Sequence, residues 1–331
     1  VVVAREVAVL GLRAVAAAAN VVISATIWGK LKFNAQVVGI ALAIGVVAPS
    51  AAGPSLAFGG PKSYGAGRYP FAVAMGDLNG DGKLDLAVAN YGASTVSVLL
   101  NKGGARFRSK VDHATGPHPP SVAIDDLNGD RKADLAIANA GTEEKPGTTV
   151  SVLLNKGDGS FDAKRDFQAG PAPRSLAIGD LNGDGKPDLA TANDLGNTGT
   201  ASVLLNTGDG TFAPARDYAT GAHAYTVAIG DLNDDRKLDL AVADGGGVAV
   251  LLNSGDGSFP TPHHYATTAG IAISVTLGDL NGDGKRDLAV GHIAGEYTVS
   301  VLVNRGDGTF GSKRAYVAGA GYSVAMGDLN G

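Results

Sequence analysis

Acidic and amide side chains recur at fixed offsets five times in this chain: DLNGDGKLDL from Asp77, DLNGDRKADL from Asp126, DLNGDGKPDL from Asp180, DLNDDRKLDL from Asp231 and DLNGDGKRDL from Asp279. In D-x-N-x-D-[G/R]-K-x-D the side chains at positions 1, 3, 5 and 9 are hard oxygen donors. With the position-7 carbonyl they offer five ligands to one cation, and a bidentate carboxylate or a water completes the about six to eight oxygens that Ca²⁺ takes. The first set is Asp77, Asn79, Asp81, the Lys83 carbonyl and Asp85, and the second is Asp126, Asn128, Asp130, the Lys132 carbonyl and Asp134. Asp180, Asn182, Asp184, the Lys186 carbonyl and Asp188 form the third; Asp231, Asn233, Asp235, the Lys237 carbonyl and Asp239 the fourth; Asp279, Asn281, Asp283, the Lys285 carbonyl and Asp287 the fifth.

Three carboxylates within nine residues repel one another unless a cation lies between them, and 15 of the 28 Asp residues stand at these positions. A turn needs only one or two Asp, Asn or Gly residues, not the same four donors repeated. Gly82 at position 6 permits the sharp turn, whereas Arg131 and Arg236 must adopt it with a Cβ present, at some strain. An EF-hand would need Glu at position 12 and flanking helices. Here position 12 is Val88, Ile137, Thr191, Val242 or Val290, in a strand pattern, so that motif is rejected.

The elements that carry these loops follow from the repeat. Each loop is trailed by a second string, from VSVLLNKGGARF ending at Phe107 to VSVLVNRGDGTF ending at Phe310, with Phe161, Phe212 and Phe259 between. Loop starts are spaced 49, 54, 51 and 48 residues apart, and a sixth loop, 49 residues further on, is cut at Gly331. From the ninth motif residue to the Asn of the second string (Asn101, Asn155, Asn206, Asn253, Asn304) the distance is 16, 21, 18, 14 and 17 residues. From that Asn to the next loop it is 24 to 26, so one loop per repeat absorbs the variation. Each unit predicts four strands: FAVAMGDL, LDLAVAN, TVSVLLN and, after a Gly-Asp-Gly turn, one that begins at the Phe, as in FAPARDYATG. Such units bury both faces only by stacking, as blades of a β-propeller; a parallel β-helix has shorter rungs and no four-stranded meander.

The expectation is therefore an all-β protein, a propeller of four-stranded blades with five complete repeats and partial blades at both ends. The N-terminal part supplies only a last strand, with Phe58 and Tyr64 in the places of Phe161 and Phe167, and the C-terminal part only a first strand, 322–329. This phase reads as a fragment of a longer propeller. Residues 30–52 read as a signal peptide: Lys30 and Lys32, an apolar run of twelve at 37–48, then Ser50, Ala51 and Ala52. Twelve is short for a membrane span of about 20 residues, so no stable span is expected after cleavage. Residues 1–29 are an unassigned apolar leader, read as lying outside the mature protein, and 53–331 as the repeat domain.

With these loops the chain resembles the FG-GAP or VCBS-type repeats of integrin α subunits and many secreted bacterial proteins, over residues 56–331. The resemblance implies a seven-bladed propeller with Ca²⁺ in the hairpin between the first two strands of a blade, held by the donors named above. A literal Phe-Gly…Gly-Ala-Pro signature is not clean, SYGAGRYP being nearest.

The chain has no Cys, which excludes disulfides and thiolate metal sites. Its 27 basic against 32 acidic residues argue against a nucleic-acid partner, although five bound Ca²⁺ would turn the formal charge of −5 into +5. Arg305-Gly306-Asp307 is one instance of a repeated turn, Lys-Gly-Asp, Thr-Gly-Asp or Ser-Gly-Asp elsewhere, rather than an adhesion tripeptide. His113 occupies a position filled by Tyr64, Phe167, Tyr218, Tyr265 and Tyr316, hence a packing role; His118 and His223, eight residues before their loops, read as connector residues.

Strand alternation puts the Asp loops and Gly-Asp-Gly turns at one end of the blades. The variable loops (90–95, 139–149, 193–201, 244–247, 292–298) and connectors lie at the other, where a glycan or protein partner is expected. The function expected is an exported or cell-surface calcium-binding adhesion module, not an enzyme. The alternatives are a secreted propeller enzyme acting on polysaccharide, using Tyr91, Asp194, His292, Glu296 or Tyr297, and a structural spacer of a larger surface protein.

Overall fold

The computed structural model describes residues 62–104, 106–267, 270–293, 298–317 and 323–326. The expected leader, the signal peptide, Phe58, Glu296, Tyr297, Tyr322 and the truncated sixth loop lie outside these residues. The described residues form no helix.

Among the described residues the strands build five four-stranded antiparallel sheets, each a simple meander. The first contains β1 (Pro70–Gly76), β2 (Asp85–Asn90), β3 (Thr95–Leu99) and β4 (Val111–Ala114). The second contains β5 (Ser121–Asp125), β6 (Asp134–Gly141), β7 (Pro146–Leu153) and β8 (Arg165–Gln168). In the third, β9 (Pro173–Gly179), β10 (Asp188–Asp194) and β11 (Gly199–Leu204) pair in order, and β14 (Arg216–Gly221) pairs with β11. A small hairpin, β12 (Asn206–Gly208) and β13 (Thr211–Phe212), intervenes. The fourth has β15 (Thr226–Gly230), β16 (Asp239–Asp244), β17 (Gly247–Leu251) and β18 (His263–Ala266). The fifth has β19 (Ile271–Gly278), β20 (Asp287–Ile293), β21 (Thr298–Leu302) and β22 (Arg314–Val317).

Apolar cores form between the sheets. Ala87, Ala89, Val96 and Val98 of the first blade meet Val122, Leu135, Ile137, Leu153 and Phe161 of the second. Blades two and three, three and four, and four and five repeat the arrangement. One side of each of these second strands is thus mostly Ala, and the other Leu with Val, Ile or, on β10, Thr191. Small against large lets neighbouring sheets close to native packing density, which explains why a strand such as DLAVAN is buried on both sides. On β1, Phe71, Val73 and Met75 are exposed, whereas Val122, Leu176, Val227 and Val275 at the Val73 register are buried beneath a preceding blade.

Two further devices join the blades. The Asn of the second string donates across the junction to the Leu carbonyl of the preceding Asp loop: Asn155 to Leu78 (2.9 Å), Asn206 to Leu127 (2.9 Å), Asn253 to Leu181 (2.7 Å) and Asn304 to Leu232 (3.0 Å). Edge-on ring pairs join the same neighbours at Phe167–Phe212, Tyr218–Phe259 and Tyr265–Phe310, and Tyr64–Phe107 joins the segment before the first blade to that blade. His113 fills this role against Phe161 at 5.1 Å, and burial holds its imidazole below the usual His range. The packing role expected for it is observed.

One strand boundary is corrected. The Phe after the Gly-Asp-Gly turn does not open the last strand. It pairs in a short bridge with the Asn of its own second string (Asn101 with Phe107, Asn155 with Phe161, Asn304 with Phe310), and the strand begins four residues later. Its ring is drawn into the junction core, out of line with the edge strand.

Candidate functional site

Each Asp loop is the hairpin between the first two strands of a blade. The position-1 carboxylate folds the loop by accepting its own amides: Asp77 Oδ1 takes Gly80 N–H (2.8 Å) and Asp81 N–H (3.2 Å), and Oδ2 takes Gly82 N–H (2.7 Å). Asp126, Asp180 and Asp279 repeat the pattern. In the fourth loop Asp234 replaces the position-4 Gly, and Asp231 holds Asn233 N–H (3.3 Å) and Arg236 N–H (2.8 Å). Positions 3 and 5 are brought beside position 1: Asn79 Oδ1 accepts Asp81 N–H (3.1 Å), and its Nδ2 donates to Asp81 (3.3 Å).

Position 9 is placed differently from its neighbours. Asp85, Asp134, Asp188, Asp239 and Asp287 have no solvent exposure. Each accepts one backbone N–H from the Leu after position 1 and one from the Asn of the second string; for Asp85 these are Leu78 (2.9 Å) and Asn101 (2.6 Å). The same two bonds recur at the other four. This carboxylate therefore ties the hairpin to the end of the third strand, a role the spacing did not reveal.

Burial, reinforced by repulsion from Asp130 and Asp126, raises Asp134 to about 6, and burial with repulsion from Asp235 and Asp231 does the same to Asp239. Asp188 is raised for the same reasons. At position 5 the Lys ammonium pairs with the carboxylate: Lys83 with Asp81 (3.0 Å), Lys132 with Asp130 (3.1 Å), Lys186 with Asp184 (2.9 Å) and Lys237 with Asp235 (3.3 Å). Lys285 instead donates to the Arg305 carbonyl at 2.9 Å. Among the described residues no three acidic or His side chains converge as a closed metal shell. The donor set is nonetheless all hard oxygen, and the unbalanced charge around buried Asp134 and Asp239 is what a divalent cation would neutralise. The chemistry of the donors fits such a cation.

Arg131 and Arg236 occupy position 6 with φ of 65° each, and Asp234 sits at 59°. The strain expected from the sequence is present. The Gly-Asp-Gly turns lie at the same end: Asp307 accepts Thr309 N–H (2.9 Å) as Asp158 accepts Ser160 N–H (2.9 Å), so Arg305-Gly306-Asp307 is the ordinary repeat turn.

At the opposite end, connectors and β2–β3 loops meet. Tyr69, His118, Ala172 and His223 stand at one connector position with φ of 48°, 51°, 50° and 58°. Tyr91 contacts Phe71 and His118 at 5.7 and 4.8 Å between ring centroids. Asp194, nearly buried, lies 3.3 Å from His223 Nδ1 and 3.5 Å from Arg174 Nε, and accepts Gly196 N–H at 2.8 Å. His292 is buried, with both ring nitrogens engaged, by the Thr298 carbonyl and Thr267 Oγ1. Tyr91, Asp194 and His292 thus sit in three different blades, each with its own neighbours.

A buried relay also escaped the sequence reading. Asn90, Asn139 and Asn193 donate to Ser97, Ser151 and Ser202, which donate to Asp112, Asp166 and Asp217 at 2.6, 2.6 and 2.5 Å. In the fourth blade the register reads Asp244, Ala249 and His264, and Asp244 pairs directly with His264 at 3.3 Å. The carboxylate has moved from the last strand to the second, and the signal was the joint exchange of three aligned positions.

The FG-GAP-like repeat model matches residues 77–137, 126–191, 180–242, 231–290 and 279–331. The chain belongs to the FG-GAP-like repeat family. Among solved structures this FG-GAP-like chain is similar to a lectin from Agrocybe aegerita that recognises non-reducing terminal N-acetylglucosamine, with a TM-score of 0.53 and 22% identity over 77% of this chain and 67% of that one. It is also similar to a putative 6-phosphogluconolactonase from Bacteroides fragilis, with a TM-score of 0.53 and 16% identity over 74% and 70%. At such identities the likeness shows the β-propeller fold, which carries binders and enzymes alike. No curated protein matches the FG-GAP-like chain in sequence. No described helix is long and apolar enough to cross a membrane.

A left-handed backbone costs a residue with a Cβ about 1–2 kcal/mol. Arg236→Gly and Arg131→Gly are therefore expected to raise stability by about 1 kcal/mol each, read as a higher midpoint in urea denaturation with an unchanged slope.

Proposed function

We propose that this chain is the calcium-stabilised propeller of an exported or cell-surface protein and serves as a binding or adhesion module, meeting a glycan or protein through the end of the blades opposite the Asp loops. The observation that carries this reading is the confinement of length variation to the β2–β3 loops, which share that end with the connectors, on blades otherwise alike. A rigid scaffold that varies at one end only is the usual organisation of a recognition surface. A similar fold in a lectin supports a glycan as one class of partner. The dispersal of Tyr91, Asp194 and His292 over three blades supports a binder over an enzyme, since acid–base catalysis needs its groups around one substrate atom.

In this reading Ca²⁺ is structural. Positions 1, 3, 5 and 9 and the position-7 carbonyl of each loop, Asp77 to Asp85 and its four counterparts, supply its oxygens, and binding energy becomes folding energy. A proton on Asp134 or Asp239 competes with the cation. Both are raised from 3.8 to about 6, so the metal-free protein holds these protons below about pH 6 and must release them on binding. The rise in melting temperature produced by Ca²⁺ is expected to be clearly smaller at pH 5 than at pH 7.5. Differential scanning fluorimetry checks this, and equal shifts at both values would count against ligation by position 9.

The surface assignment is tested on glycan arrays and in cell-binding assays with the intact chain in Ca²⁺. Replacing residues 142–145 and 195–198 by Gly-Ser linkers is expected to weaken binding at least tenfold, while Asp158→Ser and Asp256→Ser in the Gly-Asp-Gly turns leave it unchanged. The reverse outcome places the partner at the Asp-loop end.

A further inference from the structure

At the variable-loop end the first three blades share one backbone and differ in their side chains. Four register positions line each junction: the sixth residue before one blade's Asp loop, the sixth after that loop's ninth residue, and the eighth and sixth residues before the next blade's loop. The recurring bonds of Tyr91 N–H to the Tyr69 carbonyl (2.9 Å), Ala140 N–H to His118 (3.3 Å) and Asp194 N–H to Ala172 (3.1 Å) show that the scaffold is the same in the first three blades.

On this common frame the first junction presents Phe71, Tyr91, His118 and Pro120, and the second Pro120, Ala140, Ala172 and Arg174; the fourth blade departs from the frame, Gly245 N–H donating to the Ala222 carbonyl at 2.7 Å. At the second junction Ala140 and Ala172, in the places of Asp194 and His223, therefore satisfy the fold. The third junction instead presents Arg174, Asp194, His223 and Tyr225, and the four are in contact. Asp194, 6% exposed, lies 3.5 Å from Arg174 Nε and 3.3 Å from His223 Nδ1. The His223 and Tyr225 rings are nearly parallel, 6° apart with centroids at 5.9 Å. Arg174 and His223 remain 36% and 40% exposed. A charged, ordered cluster where Ala140 and Ala172 suffice at the second junction is not explained by folding.

Its chemistry selects a ligand class. Asp194 pairs ionically with Arg174 on its Nε side at 3.5 Å, without a hydrogen bond, and among the described residues no protein acceptor meets the two Nη groups. That leaves the end of the guanidinium as a free two-pronged donor, the geometry that matches a carboxylate. The adjacent His223–Tyr225 pair is a flat, amphipathic surface of the kind that accepts the apolar face of a sugar ring. We propose that the junction between the third and fourth blades binds a saccharide residue bearing a carboxylate, a hexuronate pyranose, with Arg174 contacting the carboxylate, the His223–Tyr225 pair supporting the ring, and Asp194 acting as a positioning residue for Arg174 and His223. This deepens the binding-module reading and rests on it.

The test uses the intact chain in Ca²⁺ and isothermal titration with hyaluronan tetrasaccharide and tetragalacturonate, each beside its carboxyl-reduced, neutral counterpart. At least one acidic probe is expected to bind, with its neutral counterpart at least tenfold weaker. Arg174→Ala should remove at least tenfold of the affinity. Arg174→Lys, which keeps the charge and the pairing with Asp194 but loses the fork, should remove a smaller part. Asp194→Asn should weaken binding with a melting temperature close to wild type, and Ala140→Ser at the blank second junction should change nothing. Equal binding of acidic and neutral probes, wild-type affinity in both Arg174 variants, or no binding of either acidic probe overturns the proposal. A neutral glycan or a protein that still binds in a loop-dependent way would leave the broader binding-module reading standing, whereas loss of all loop-dependent binding removes both.

Discussion

A carboxylate without solvent exposure closes every Asp loop, and most of the blade is arranged around it. Asp85 and its four counterparts each receive two backbone N–H groups, one from the loop and one from the end of the third strand. The residue whose amide it receives, the second-string Asn, donates in turn to the loop carbonyl of the preceding blade from the second blade onward. One buried ion thereby joins hairpin, third strand and neighbouring blade. Burying it costs several kcal/mol unless its charge is balanced, and two amides balance it only in part, as the raised Asp134 and Asp239 show. The crowding of Asp at positions 1 and 5 adds to that imbalance, which is the physical case for a cation.

The rest of the stack is tolerant by comparison. Alternating Ala faces and Leu or Val faces give each junction a continuous apolar core, and edge-on ring pairs seal the outer side even where His113 replaces an aromatic residue. The polar relay survives the exchange of Asn, Ser and Asp for Asp244, Ala249 and His264 because one carboxylate and one donor are conserved across strands, not at any one position. Loop-end chemistry can then vary from junction to junction without cost to the fold.

Much of this was legible in the residues. The repeat period, the four-strand meander, the Asp loops as hairpins and the packing of His113 all follow from local patterns: strand alternation, turn residues and a substitution inside an aligned column. What could not be read were bonds between positions far apart in sequence. The Asn253 side chain reaches Leu181, 72 residues away, and nothing local distinguishes it from a turn Asn. Phe161, Phe259 and Phe310 look like strand residues by composition, yet their rings belong to a junction core. His223 looked like an idle connector because its partner Asp194, on the preceding blade, comes beside it only when adjacent blades stack.

The central claim is that the Asp loops are held together by bound calcium. Thermal unfolding of the metal-stripped protein, alone and with Ca²⁺, tests it most directly. A site that binds only the folded chain contributes about 2.7 kcal/mol at a hundredfold excess of ligand over Kd. A rise of many degrees in melting temperature with Ca²⁺, reversed by a chelator, is the predicted result. A melting temperature that does not move with either would contradict the account.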